Sequence, residues 1–487
     1  MRVSHVITRL IVGGAQENTI ASVLGLRQRP NLIVDLLSGP SRGPEGSLEG
    51  RLDPTPGVLR LVPELVRPVH PLKDWIALRK LTAIFRQARP DIVHTHSGKA
   101  GILGRVAAHR AGVPIIIHTI HGPSFGQFQG ALPNLLFRAA ERYASKFTTH
   151  FVTVANAMTI QYLAAGIGRP QDYTRIFSGF ALEPFLMAKN DPELRARYGL
   201  TPEDFVIGKI ARLFRLKGHD DLFDVAPAIV KVWPSAKFLL VGDGEWRARL
   251  EARARQAGLE GRVVFAGLVP PSDIPRLVGI MDVLVHLSRR EGLARALPQA
   301  LATAKPVIAY DCDGATEVCV EGKTGFLIRP GDLESLSERL VQLARDRALR
   351  VCLGQQGQAH VKERFSVEGM IGQLEGLYWR LARERGIDAH EARNEPSPRG
   401  TLLSFCVHPS LGSLIARFGA QSLSKKSKCA CDSCGGGLPG LPVQRLPVAR
   451  TVRITRKTGG WKPPYWQPRW LPPHFQIAQR IVAGSQR

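Results

Sequence analysis

Short apolar runs alternate with amphipathic stretches along most of this chain. Val3 to Leu10 reads as a first strand, and the turn Val12-Gly13-Gly14-Ala15-Gln16 leads from it into a helix. Ile33 to Leu37 reads as a second strand. Trp75, Leu78, Leu81 and Phe85 recur at helical spacing and predict a helix over residues 74–88. Strands follow at 91–94, 113–118 and 151–155. A second series begins at Phe205 to Ile210 and continues at 237–242, 263–265, 281–286, 306–309 and 325–328. Residues 333–383 read as helices, ending in an amphipathic segment from Met370 to Leu381. Strands separated by helices pair in parallel. The pattern therefore predicts an α/β protein with two doubly wound, Rossmann-like domains, 1–180 and 181–389. In such sheets ligands bind at the carboxyl ends of strands, over helix N-termini, so the chemistry is expected in loops after strands.

Beyond His390 the rhythm stops. Residues 390–487 carry 15 Lys and Arg against 3 Asp and Glu, about half of the net charge of +25 in one fifth of the chain. Pieces such as Lys462-Pro463-Pro464-Tyr465-Trp466 and Gly435-Gly436-Gly437 cannot bury much core, so the tail is expected to be disordered and to take no part in the chemistry. Cys429-Ala430-Cys431-Asp432-Ser433-Cys434, with Cys406 or His408, fits the spacing of zinc fingers poorly. Seven cysteines, an odd number with four in the last hundred residues, do not make a disulfide framework.

The body is only moderately basic, and with 44% hydrophobic residues overall the chain can build packed cores. It has no uninterrupted apolar run of about 18 residues, the length that reads as a membrane-spanning helix. Its start, Met1 to Ile7, lacks the apolar core and cleavage site of a signal peptide, so the protein is expected in the cytoplasm.

Two post-strand loops carry the most chemistry. In Ala211 to His219, a strand delivers Arg212, and Lys217 stands where the next helix begins. Two cations beside helix-start N–H groups suit a diphosphate, although surface cations on a solvated loop have the same pattern. In Ser288 to Ala300, Glu291 is read at a helix start. Gln299, eight residues on, then lies about 12 Å along the axis, the reach from a hexose to a ribose. Gly292 lets the backbone approach a ligand. His94 and His96 are placed on different faces of a strand end, which disfavours a metal pair and leaves them as polar lining. With Arg212 and Lys217 available to a diphosphate, no metal or other cofactor is expected.

Together these loops resemble the nucleotide-sugar site of family 4 glycosyltransferases, enzymes of GT-B architecture. The resemblance extends over about residues 1–380. It includes Asp313-Gly314-Ala315-Thr316-Glu317, Gly322, Gly325, Pro330-Gly331-Asp332, the Gly13-Gly14-Ala15-Gln16 loop, His94 to Gly101, His118 to Gly122 and Ser178-Gly179-Phe180. It implies that Arg212 and Lys217 hold the diphosphate, Glu291 bonds the donor sugar and His121 sits near the reacting centre. Gln299 stands where the family usually has a Glu on the ribose, and an amide can still accept from one hydroxyl and donate to another. Gly13, Gly14, Gly244, Gly267, Gly292, Leu293 and Glu317 complete the implied donor site. The implied reaction moves a hexose, N-acetylated or not, from a nucleotide sugar to a cell-envelope or extracellular glycan, with retention and without metal.

A basic stripe of Arg138, Arg142 and Lys146 beside Leu135, Leu136 and Phe137 reads either as a solvated helix face or as a peripheral contact with anionic lipid near a lipid-linked acceptor. A nucleotide-sugar epimerase would share the nucleotide site but needs acid and base carboxylates around the sugar. Only Glu291 and Glu317 offer themselves. A nucleic-acid-binding scaffold would explain the charge but not the two loops, and no nucleic-acid partner is expected.

Overall fold

The computed structural model describes residues 1–387 apart from 42–45, Ser97 and Gln127. The readings placed on the tail, its disorder and its cysteine cluster, lie outside the described residues.

The N-terminal half runs β1 (Arg2–Ile7), α1 (Gly14–Arg27), β2 (Ile33–Ser38), β3 (Leu59–Leu61), α2 (Pro71–Ala88), β4 (Ile92–His96) and α3 (Gly98–Ala111). It continues with β5 (Ile115–Ile120), α4 (Ala131–Ser145), β6 (His150–Thr153), α5 (Asn156–Ala164) and β7 (Tyr173–Arg175). Its seven strands are all parallel, in the order β3-β2-β1-β4-β5-β6-β7. Isoleucine- and valine-rich runs such as β5 are buried along their length because helices cover both faces. Pro71 opens α2, where its missing N–H is no loss, and the αL residue Arg89 closes it.

The second half starts with the short helices α6 (Glu183–Leu186) and α7 (Pro192–Arg197). Then come β8 (Phe205–Ile210), α8 (His219–Val232), β9 (Ala236–Val241), α9 (Arg247–Gln256), β10 (Val263–Gly267), α10 (Ile274–Gly279), β11 (Val283–His286) and α11 (Ala296–Ala302). The half ends with β12 (Val307–Tyr310), β13 (Gly325–Ile328), α12 (Leu333–Arg345) and α13 (Arg347–Lys362). Its six strands are parallel, ordered β10-β9-β8-β11-β12-β13. Each sheet reverses its winding once, between β1 and β4 and between β8 and β11. Those two switch points are where loops splay apart and leave room for a ligand.

The last helix, α14 (Val367–Glu384), returns to the first half. Met370, Ile371, Leu374, Leu377, Tyr378 and Leu381 form its buried stripe and join the core of β1, β4 and α1 through Val3, Ile7, Ile20, Val23 and Ile92. The two passages between the halves lie side by side. The Phe180 N–H donates to the Phe365 carbonyl (3.0 Å), and the rings of Phe177 and Phe365 stack at 4.7 Å. The three-residue edge strands β3 and β7 are not foreseen in the sequence, because runs that short carry no alternation to read.

Candidate active site

Between the sheets lies a cleft of about 2450 Å³. Its lining includes Gly13, Gly14, His121, Arg212, Lys217, Gly244, Glu291, Leu293 and Gln299. Gly267 and Gly292 are not themselves in that lining, although Leu268, Glu291 and Leu293 beside them are.

The loop after β8 is shaped by its backbone. Leu213 is buried, with its N–H on the Asp243 carbonyl (3.0 Å), which leaves Arg212 exposed towards the cleft. Leu216 and Gly218 take positive φ (70° and 66°). A Cβ on Gly218 would also stand 2.0 Å from the Leu287 carbonyl oxygen, so the loop can lie against the end of β11 only with glycine here. This contact sets Lys217 at the start of α8 and joins its ammonium to the Glu291 carboxylate in an ion pair. The two loops are tied further by the Arg289 N–H on the Leu216 carbonyl (2.9 Å).

Glu291 does not stand at a helix start, as the sequence suggests. Residues 291–295 are irregular, and α11 begins only at Ala296, so the helical distance to Gln299 does not apply. The cause is a direct meeting of the two halves. A Cβ on Gly292 would lie 2.0 Å from the His121 carbonyl oxygen, and the Gly292 carbonyl accepts from the Gly314 N–H at 3.1 Å. The Glu291 N–H donates to Asp313 Oδ2 (2.7 Å), which fixes the residue without a helix. Burial alone would raise the Glu291 carboxyl, but the Lys217 ammonium outweighs it and holds the acid below its ordinary value.

Glu317 turns away from the cleft. Its carboxylate accepts from the Ala157 N–H (3.2 Å) at the start of α5 and from Arg175 (3.3 Å). Glu317 therefore joins the two halves mechanically. Arg295 does the same from the other side of the donor loop, paired with Glu17 on α1 at 2.7 Å.

Two groups here escape the sequence reading. His286 closes β11 and lines the cleft, and its Nε2 is buried, lacks a hydrogen-bond partner among the described residues and lies 3.9 Å from Glu291 Oε1. Burial pulls its imidazole down to about 3, so the ring is neutral. Lys209, fully buried in β8, is pulled down to about 7 by burial and then by Lys217. Both read as strand interior in the sequence, and only the loop geometry brings them under the cations.

On the N-terminal side the two-face reading of His94 and His96 is corrected. Residues two apart in a strand share a face. Their rings stack at 4.5 Å, with His5 of β1 stacked on His96 at 5.1 Å and His121 on the other side of His96 at 5.3 Å. Ring nitrogens of His5, His94 and His96 lie within 4.8 Å of one another, a grouping that could hold a metal ion.

Sequence comparison agrees with this geometry. The family described as "Glycosyl transferases group 1" matches residues 190–360, and the "Glycosyl transferase 4-like domain" matches residues 18–177. The chain is 30% identical over 321 residues to the UDP-Gal:alpha-D-GlcNAc-diphosphoundecaprenol alpha-1,3-galactosyltransferase of Escherichia coli, covering 65% of this chain and 82% of that enzyme. The chain is a family 4 glycosyltransferase. This glycosyltransferase is also 26% identical over 324 residues to the capsular polysaccharide biosynthesis glycosyltransferase CapM of Staphylococcus aureus (65% and 84% of the two chains). Its GT-B fold matches that of Anabaena Alr3699/HepE, solved with UDP and glucose, with a TM-score of 0.67 at 24% identity, over 78% of this chain and 99% of that one. No helix of the described residues is long and apolar enough to cross a membrane.

Proposed function

We propose that this glycosyltransferase moves a hexose, N-acetylated or not, from a UDP-linked donor to a cell-envelope glycan or lipid-linked acceptor, with retention at the anomeric carbon. The observation that carries the reading is the Lys217–Glu291 pair in the cleft, with Arg212 on the same loop and neutral His286 beneath it. The diphosphate takes Lys217 and Arg212, which releases the Glu291 carboxylate to sugar hydroxyls. The relatives support the choice of UDP, since one acts with UDP-Gal and another was solved with UDP. The acceptor hydroxyl attacks the anomeric carbon on the face the diphosphate leaves. The bond from that carbon to the phosphate oxygen breaks, and the departing oxygen takes the acceptor's proton. Catalysis then rests on positioning and on charge placed at the leaving group. Two fixed cations make a divalent ion unnecessary in this reading. An epimerase would need a second carboxylate at the sugar, and Glu317 is committed elsewhere.

On the acceptor side, α4 borders the cleft through Pro133, Leu136 and Phe137. It turns Leu135 and Tyr143 outward, flanked by Arg142 and Lys146. An apolar face edged with cations suits a peripheral contact with the anionic inner face of the membrane, where a lipid-linked acceptor would be met. The test is a thermal-shift panel of UDP-, GDP- and ADP-sugars, followed by NMR of the product's anomeric carbon. A rise in Tm with UDP-sugars alone and an unchanged anomeric configuration are expected. Stabilisation by another base, or an inverted product, overturns the reading.

A further inference from the structure

Three buried histidines of the N-terminal half, His5, His94 and His96, belong to one continuous hydrogen-bonded chain that ends at His121 in the cleft. It runs from Thr119 Oγ1 to His94 Nε2 (2.6 Å), from His94 Nδ1 to the Tyr378 hydroxyl (2.5 Å) and from that hydroxyl to His5 Nε2 (3.3 Å). It continues from His5 Nδ1 to His96 Nε2 (2.8 Å) and from His96 Nδ1 to His121 Nε2 (3.0 Å). His121 is the member that lines the cleft, and its engaged Nε2 leaves Nδ1 as the ring nitrogen remaining to it. Tyr378 belongs to α14, so the chain joins the last helix of the protein to the first sheet and then to the cleft.

Such a chain has two ways to place its protons. A neutral imidazole has one N–H donor and one acceptor nitrogen, so fixing the direction of one link fixes every other. Burial lowers all four rings, His5 to about 3 and His121 to about 4, so none carries a charge near neutral pH. The far end decides the direction. The Thr119 hydroxyl is buried, and no second partner for it exists among the described residues. If His94 donated to Thr119, the threonine hydrogen would be buried with no acceptor, whereas an oxygen lone pair left over is tolerated. Thr119 therefore donates to His94, His94 to Tyr378, Tyr378 to His5, His5 to His96 and His96 to His121. The His121 proton then has only Nδ1 to occupy.

We propose that Tyr378, His5 and His96 are positioning residues that hold His121 as the Nδ1–H tautomer, so that the donor meets a hydrogen-bond donor and never an acceptor at that point of the cleft. The consequence for turnover rests on the donor site proposed above; the tautomer does not. An imidazole held in the wrong tautomer loses orders of magnitude in rate even where the geometry is intact.

The test uses the full chain labelled with ¹⁵N-histidine, with two-bond ¹H–¹⁵N correlations assigned by H121Q. The wild type is expected to show His121 protonated at Nδ1, without any nucleotide present. Y378F removes one hydroxyl from the middle of the chain, so His121 should become a mixture of tautomers. Turnover should fall about tenfold while the donor KM stays within about twofold. His5→Gln, whose amide can accept at one end and donate at the other, should keep the wild-type tautomer, and His5→Leu should not. These two variants keep the test open should Y378F fold poorly. A His121 spectrum unmoved by both Y378F and His5→Leu overturns the proposal, even if both variants melt earlier. One equivalent of tightly bound zinc in the purified protein, lost in His5→Gln, also overturns it, because metal-bound nitrogens cannot pass a hydrogen bond along. Absence of transfer with every nucleotide sugar would count against the donor site and leave the tautomer measurement standing.

Discussion

The two halves share a parallel sheet, a single reversal of winding and loops that meet over a common cleft, yet they bring opposite kinds of polarity to it. The C-terminal half presents formal charge on short loops: Arg212, Lys217 and Glu291. Lys217 and Glu291 balance one another in an ion pair. The N-terminal half presents neutral rings ordered only by hydrogen bonds: His5, His94 and His96, buried in the sheet itself, and His121, half-buried in the loop after β5. Charge on a loop can be rearranged when a diphosphate arrives. A buried neutral chain cannot change one link without changing all, which suits a group that must keep one orientation through every turnover.

The largest effect expected is on the charged side. Glu291→Ala removes the carboxylate that the proposed donor site places on the sugar and leaves Lys217 without its partner, and turnover should drop at least about a hundredfold. Near-normal turnover of this variant in a direct transfer assay would dissolve the distinction between the halves. His286→Leu comes next. It deletes the neutral imidazole beside Glu291 and should weaken donor binding about tenfold, the worth of one hydrogen bond to a buried partner. Because burial holds that ring near 3, the loss should be the same at pH 6 and pH 8; a loss confined to the lower pH would mean that His286 acts as a cation.

Lys209 gives a smaller effect with a definite sign. Its folded value, about 7, lies below that of an exposed lysine, so the unfolded chain binds more protons between about pH 7 and 10. Stability from this group must therefore rise with pH across that window. Set against a Lys209→Met variant, the wild-type Tm should climb by a few degrees from pH 7 to 9.5, and parallel curves would show that the lysine is not strained by burial. The smallest effect expected is none. Turnover should survive EDTA, since in the proposed site Arg212 and Lys217 supply the positive charge at the diphosphate, and activity lost to EDTA and restored by Mg²⁺ or Mn²⁺ would break the assignment.

How far these groups could be read in advance follows the same division. Both sheets were legible because their strands are short apolar runs between glycine turns, and β8 and β13 start and stop where the sequence suggests. Arg212, Lys217 and Glu291 were legible because charges on post-strand loops stand out against an apolar background. His5, Lys209 and His286 did not stand out. Each is a single polar residue inside a strand. His5 takes its meaning from Tyr378, 373 positions away, and Lys209 and His286 take theirs from the Lys217–Glu291 pair, whose members stand 74 positions apart. Glu317 errs in the other direction. It occupies a position that the family resemblance assigns to the donor, but its direction is set by Arg175 and the Ala157 N–H, neither of which the local sequence reveals.

The return of α14 bears on how the protein is made. Its apolar stripe covers β1, β4 and α1, which leave the ribosome about 270 residues or more earlier. Throughout synthesis of the second half, the first sheet must wait with one face uncovered, because the helix that completes it is not yet translated. Pairings so distant in sequence form slowly and leave apolar surface exposed meanwhile. The first half is therefore a foldable unit only when the last helix is supplied. A fragment ending near residue 180 should be insoluble by itself, and adding a peptide spanning 366–387 in trans is the direct way to rescue it.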